Sequence, residues 1–372
     1  MKKEENHLKT WSEVYKNTDQ FLIQLTLALT VIGLIFAVTS STYESYRLTN
    51  SFWTLGVKQR ITLVVGLFIL ILLWLGNFKS FYKITWPFSI TILIIMLITK
   101  IPHIGITSGG SQRWIDIGLF QFQPAELAKL AFILLLSKFL TKHKWYEFNS
   151  YHYLGFSLIL ILVILKQPDL GSAGILVLLF LQMLLLFGWP LWLLFGVLVL
   201  AILSAYFCSQ TFLSGYQLDR IKFWINPYLE PQGRGYNLIQ AKYAFALGGI
   251  LGAGLGNSIQ KQGYLPIPHS DFIFAVIAEE IGCIGVTAIL ILYLSWVLRG
   301  LYVVNKVKDA YGRILGTAII LLISTQAAIN IAVTTGLLPV TGVTLPFFSC
   351  GGTSLIMTLA LCGILFNIIS KN

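Results

Sequence analysis

The chain has 372 residues, 56% of them hydrophobic and 11% charged, with a mean hydropathy of +0.78. Soluble domains carry about 25% charged residues, so this composition excludes a water-soluble globular protein and points to solvation by lipid. The formal net charge of +11 is spread between apolar runs, which fits anionic headgroups and topology signals and argues against a nucleic-acid partner.

The first 20 residues, MKKEENHLKTWSEVYKNTDQ, are polar and lack a following A-x-A cleavage site; they read as a cytoplasmic tail over 1–20. A bilayer core of about 30 Å takes roughly 20 apolar residues per helix. Spans are expected near 21–40, 60–76, 84–100, 124–140, 153–166, 171–187, 190–207, 272–298, 313–336 and 346–369. The expected fold is therefore all-α and polytopic, with about ten transmembrane helices: seven within 21–207, three within 272–369, and a short cytoplasmic tail at 370–372. With the N-terminus inside, fourteen Lys and Arg fall on inner segments against six on short outer ones, as the positive-inside rule requires. Four cysteines show no metal spacing and read as packing residues.

Residues 208–271, between the seventh and eighth spans, form one long outer loop. It mixes aromatics and glycines with five cations (Arg220, Lys222, Arg234, Lys242, Lys261) against Asp219, Glu230 and Asp271. Disordered linkers lack that aromatic content, so the loop is expected to be an ordered, half-buried cap able to hold an anionic group, with Lys222 and Lys261 exposed.

Charges inside or beside spans are suspected of function by default. Asp271 in PIPHSDFIF has two open readings: an N-cap of the eighth span, or a general base carried to the membrane surface beside His269. Glu126 and Lys129, three apart, share a helix face and form either a self-neutralising pair or the brace of a cavity. Glu279 and Glu280 receive no chemical role. Asp169 in KQPDLGSAG is a helix cap or a substrate contact, and Arg113 in SGGSQRWIDIG a phosphate contact or an interface anchor. TGLLPVTGVTLPFFSCGGTSL breaks the last two spans with Gly and Pro, as a cavity-lining segment does. No P-loop, no GxGxxG after a strand and no HExxH is present, so an ATP-driven machine is not expected.

In register along 21–369, the blocks GGSQRWIDIG, FQPAELAKL, QPDLGSAG, YQLDRIKFWINP, GYNLIQAKYAFALGGILGAGLGNSIQK, YLPIPHSDFIFAVIAEEIGCIG and GLLPVTGVTLPFFSCGGTSL resemble the SEDS family, typified by RodA and FtsW. GLGNSIQKQGYLP, GLLPVTG and the short tail resemble the division-type FtsW branch, while QPDLGS resembles the elongation-type RodA branch; the balance favours the former. The resemblance implies the ten-helix SEDS fold and peptidoglycan glycosyltransferase activity on lipid II, a disaccharide-pentapeptide on undecaprenyl diphosphate. It also implies a class B penicillin-binding protein as partner, within the division or elongation machinery. The location it implies is the bacterial cytoplasmic membrane, or a plastid membrane if the source is a peptidoglycan-bearing plastid.

Carried over residue by residue, the family's essential aspartate falls on Asp271, its membrane-embedded ion pair on Glu126 and Lys129, and its glycine-rich loop on Ser349, Gly351 and Gly352. Ile267, Ser270, Asn226 and Cys350 replace the family's usual Glu, Thr, Asp and Tyr, which weakens any role for charge at 267 or 226. The implied mechanism has Asp271 deprotonating the acceptor's 4-hydroxyl, which attacks C1 of the donor with inversion. The leaving diphosphate is stabilised by Arg220, Lys242 or Arg113, or by a bound divalent cation, the one cofactor considered. Substrate contacts are expected from Arg113, Asp169, Arg220, Lys242, His269, Ser349, Gly351 and Gly352. Two rivals stand beside the polymerase: a flippase that moves lipid II across the bilayer, and a scaffold for a partner synthase.

Overall fold

The computed structural model describes residues 11–101, 105–108, 111–116, 121–142, 151–189, 196 and 222–371. The expected span at 190–207, residues 208–221 and Arg220 lie outside these, Gly196 apart. Helix α1 (Trp11–Asn17) leads into α2 (Gln20–Thr49), α3 (Thr54–Leu75) and α4 (Phe78–Ile98). A small antiparallel sheet, β1 (Gly105–Ser108), β2 (Ser111–Asp116) and β3 (Gln121–Phe122), precedes α5 (Pro124–Lys142). Then come α6 (Tyr151–Lys166), α7 (Leu170–Leu186), α8 (Tyr236–Gly248), α9 (Ile273–Asn305), α10 (Ala310–Thr334) and α11 (Gly352–Ser370).

Local chemistry sets the boundaries. The Asp19 carboxylate accepts Leu22 N–H at 2.9 Å and so starts α2; Asn50, in the left-handed region at φ 55°, ends it. That makes α2 thirty residues, about 45 Å, longer than the expected 21–40 because Thr and Ser in its second half turn their hydroxyls back onto backbone carbonyls. The last span begins at Gly352, not 346: Pro346 and the positive φ of Phe347 (67°) keep the chain irregular until Gly351. The sheet went unforeseen because its strands are short, two to six residues each, and show no sustained alternation.

Among the described residues, six helices (α2, α3, α4, α9, α10 and α11) are long and apolar enough to cross a membrane, and α6 and α7 are shorter apolar helices. The chain is an integral membrane protein, as its composition requires. Two helices lie inside the others. Residues 128–140 of α5 and 353–370 of α11 are buried throughout, although α5 carries Glu126, Lys129, Lys138 and Lys142. Lys138 is held by the Tyr82 carbonyl at 2.8 Å and the faces of Tyr82 and Tyr153. On α11, Gly363 meets the backbone of α3 at Leu70, the small-residue contact by which membrane helices approach closely. The Asn367 amide accepts Phe78 N–H and donates to Trp74 and Gly76 carbonyls, satisfying the end of α3 and the start of α4 together.

The ninth helix is broken. Gly282 has φ 64° and ψ −171°, and the opened backbone is filled by residues 249–254 of the long loop. Ala253 and Gly254 N–H donate to the Glu279 and Glu280 carbonyls, while Cys283 and Ile284 N–H donate to the Gly249 and Ile250 carbonyls, at 2.9–3.2 Å. A Cβ on Gly252 or Gly282 would enter the other's backbone, so both positions require glycine. The described part of the loop is thus folded: α8, then a glycine-rich turn, then a return to α9.

Candidate functional site

Three chain segments meet at one end of the helices: the start of α7, the run 266–272 before α9, and the run 336–351 between α10 and α11. Asp271 lies among them, half-buried. Its carboxylate receives the Ser270 hydroxyl at 3.0 Å, and Phe272 is the N-cap residue of α9. Asp271 is also fastened through its backbone. The Asn330 amide donates to its carbonyl at 2.9 Å and to the Val343 carbonyl at 2.7 Å. Gly342, at φ 74°, lies opposite: a Cβ there would sit 3.5 Å from Asp271 Oδ2.

Ser349 is buried. Its hydroxyl accepts Leu345 N–H and donates to the Ser270 carbonyl, both at 2.7 Å, so it ties the two runs together rather than presenting a hydroxyl outward. Cys350 N–H donates to the His269 carbonyl at 2.8 Å, and Gly351 and Gly352 open α11. His269 is half-buried, its Nδ1 fully so and without a hydrogen-bond partner among the described residues, and this desolvation pushes its pKa down to about 4. Neutral in the fold and ordinarily titrating near 6.5 when exposed, it makes unfolding easier as pH falls from about 6.5 to 4, and has no such effect above that window. Thermal unfolding of wild type should therefore worsen on acidification by about 3 kcal/mol more than that of His269→Gln; parallel pH curves for the two proteins would refute this.

Asp169 accepts Ser172 N–H at 3.0 Å and so caps α7, and it also takes Gln123 Nε2 at 3.1 Å and Arg113 Nη1 at 3.6 Å. Both expected substrate contacts, Arg113 and Asp169, are thus joined to each other. Gly171, next along α7, packs against Thr341 and Val343, bringing this pair to the Asp271 loop. Lys242 on α8 is exposed, with its stem beside Gly336. Next to α8 a cleft of about 200 Å³ is lined by Phe223, Trp224, Arg234, Asn237, Leu238 and Val340. Among the described residues no three or more His, Cys, Asp or Glu converge, so the residues present form no ready ligand set for a divalent ion.

Lys129 bridges Glu126 Oε1 and Gln326 Oε1, both at 2.8 Å. Gln326 in turn donates to Thr344 O and Oγ1 at 3.1 Å, and Thr344 meets Ser354 at 2.7 Å. The pair therefore braces the loop opposite Asp271 through α10. Breaking a buried pair leaves an uncompensated charge, about 3–5 kcal/mol. Glu126→Ala and Lys129→Ala should lower thermal stability and folded yield together with activity, and a fully stable but inactive variant would move the pair into the chemistry.

Sequence reasoning missed Gln326 and Asn330, two intramembrane amides four apart on one helix face; that spacing was the available signal. It also missed the partners of Glu279 and Glu280. Glu279 accepts the Ser258 hydroxyl and the N–H groups of Ile259 (2.7 Å) and Gln260 (3.3 Å). Glu280 takes Lys261 Nζ at 2.7 Å and Thr39 Oγ1 at 3.5 Å. Lys261, expected exposed, is buried because this turn folds onto α9.

A family profile described as "Cell cycle protein", FTSW_RODA_SPOVE, matches residues 19–372. Stage V sporulation protein E of Bacillus subtilis is 37% identical over 358 residues, covering 94% of this chain and 96% of its own. A Geobacter metallireducens protein named "Probable peptidoglycan glycosyltransferase FtsW" is 35% identical over 361 residues, covering 95% of each. Among solved structures, a chain from work described as "Structural coordination of polymerization and crosslinking by a peptidoglycan synthase complex" superposes with a TM-score of 0.78 at 27% identity, covering 95% of this chain and 97% of that one. Thermus thermophilus RodA shares the fold, with a TM-score of 0.69 at 24% identity and the same coverage.

Proposed function

The chain belongs to the FtsW/RodA/SpoVE family of cell cycle proteins, and on that premise we propose how it works as a membrane-embedded peptidoglycan glycosyltransferase. Its substrate is lipid II, polymerised at the outer leaflet of the cytoplasmic membrane with both termini inside. Asp271 is the general base. It takes the proton from the acceptor's 4-hydroxyl while that oxygen attacks C1 of the donor from the face opposite the diphosphate, inverting α to β. One carboxylate suffices, because a diphosphate leaves as an anion and needs positive charge rather than a proton. Exposed Lys242 on α8 is the cation suited to that charge, with Arg113, paired with Asp169, as a second candidate.

The observation that carries this reading is the half-buried Asp271 carboxylate, its position fastened by Asn330 and Ser349 through neighbouring backbone. A class B penicillin-binding protein is the partner, crosslinking the strands at the septum; the solved synthase complex of similar fold supports that pairing. The test is glycan formation from purified lipid II by the purified protein, with and without the partner. Chains made in detergent, with no second compartment, fit a polymerase. Lipid II movement across vesicles without chain growth in any combination would replace this reading with a flippase.

A further inference from the structure

The turn between α8 and α9 has its polarity reversed. Residues 243–260, YAFALGGILGAGLGNSIQ, carry no charge, and the large apolar side chains at the tip of the turn face outward: Ile250 is 70%, Leu251 79% and Leu255 61% exposed. The charged and polar groups face inward, with Glu279, Glu280, Lys261 and Ser258 all buried beneath the same turn. A loop bathed in water does the opposite, since charged groups seek solvent and apolar patches of this kind mark a contact surface.

The occupant follows from what the turn is joined to. Ile250 is backbone-bonded to Ile284, which opens an exposed apolar stripe down α9 through Ile291, Leu294 and Leu298. Beyond the break at Gly282, residues 283–305 make a helix of about 34 Å, enough by itself to cross a hydrocarbon core of about 30 Å. Ile284 thus stands at the edge of the hydrocarbon, and the turn sits level with it. The stripe is part of the protein's lipid-facing surface, and the apolar turn continues it.

We propose that the 247–255 turn is a membrane-surface anchor, its apolar tip (Leu247, Ile250, Leu251, Leu255) seated in the headgroup–acyl boundary of the leaflet on the site side. The occupant is lipid, not a partner protein. The broken α9 is what allows this. The chain returns from α8 at membrane depth, and its exposed carbonyls and amides are satisfied by the opened helix backbone rather than by water. The anchored turn runs through buried Lys261 and Leu265 to Asp271, fixing the carboxylate's height over the bilayer where a lipid-linked diphosphate lies.

The test uses full-length protein in vesicles, with native cysteines replaced and Leu251→Cys carrying an environment-sensitive fluorophore. Its readout is independent of the proposed activity. Nitroxide lipids labelled near the headgroup should quench the probe, and aqueous iodide should quench it at least about threefold less than the same probe at exposed Lys222→Cys. Iodide quenching equal at the two positions, with no lipid quenching, overturns the proposal. Protection from both quenchers also overturns it, because the surface would then be covered by protein. If Leu251→Cys fails to fold, Leu255→Cys carries the same two readings.

Discussion

Asp271→Asn should polymerise lipid II at least about 100-fold more slowly than wild type, while folding, inserting and binding its partner normally. The isosteric amide keeps the Ser270 contact within reach, and Asn330 and Ser349 hold backbone groups that the substitution leaves untouched. What is lost is the proton acceptor. Asp271→Glu should recover little, because an added methylene moves the oxygens by about 1 Å, enough for large losses at a reacting centre. A longer side chain also reaches toward the backbone of the Gly342 turn that faces the carboxylate. The measurement is glycan chain growth by well-folded protein, and near-normal growth by the Asn variant would end the role of Asp271 as base.

The second large effect is expected at the Glu280–Lys261 pair. Both side chains are buried, and their 2.7 Å contact joins the turn to the first half of α9. Lys261→Met keeps most of the stem but leaves Glu280 with Thr39 as its remaining partner at 3.5 Å, which should destabilise the protein by about 3–5 kcal/mol. Thermal unfolding in detergent should show this. Polymerisation should fall too, since the same turn leads to Asp271. Pairing Lys261→Met with Glu280→Leu should restore part of the lost stability, because two matched apolar groups cost less than one stranded charge. Single variants with wild-type melting would show the pair to be incidental.

Nine of the ten expected spans coincide with helices among the described residues, because membrane spans announce themselves by length and apolarity; their ends moved by up to nine residues, as where Asn50 closes α2 and Pro346 delays α11. The break in α9 was not. Gly282 sits in an apolar run like any small residue, and only the approach of Gly252 from thirty residues upstream shows why it must open. Asp271, Glu126 and Lys129 stood out because charge is rare in such a chain. Asn330 and Gln326 did not, since a neutral amide in a helix declares itself only when its acceptors are known. The acids at 279 and 280 were visible as anomalies, but their partners come from a loop whose return path no periodicity encodes.

The burial of α11 also bears on how the protein is made. It packs against α3 through Gly66 and Gly363, and its Asn367 closes the ends of two helices near the start of the chain. Yet among the described helices it is the last to leave the ribosome. Until it arrives, α3 and α5 enter the bilayer with an empty seat between them, and the faces that α11 will cover must be shielded by lipid, by the insertion machinery or by one another. Nascent chains stalled before Gly352 should therefore be the forms that membrane quality-control proteases remove, and a change at Gly363 should shorten the protein's life in the cell before it alters any step of catalysis.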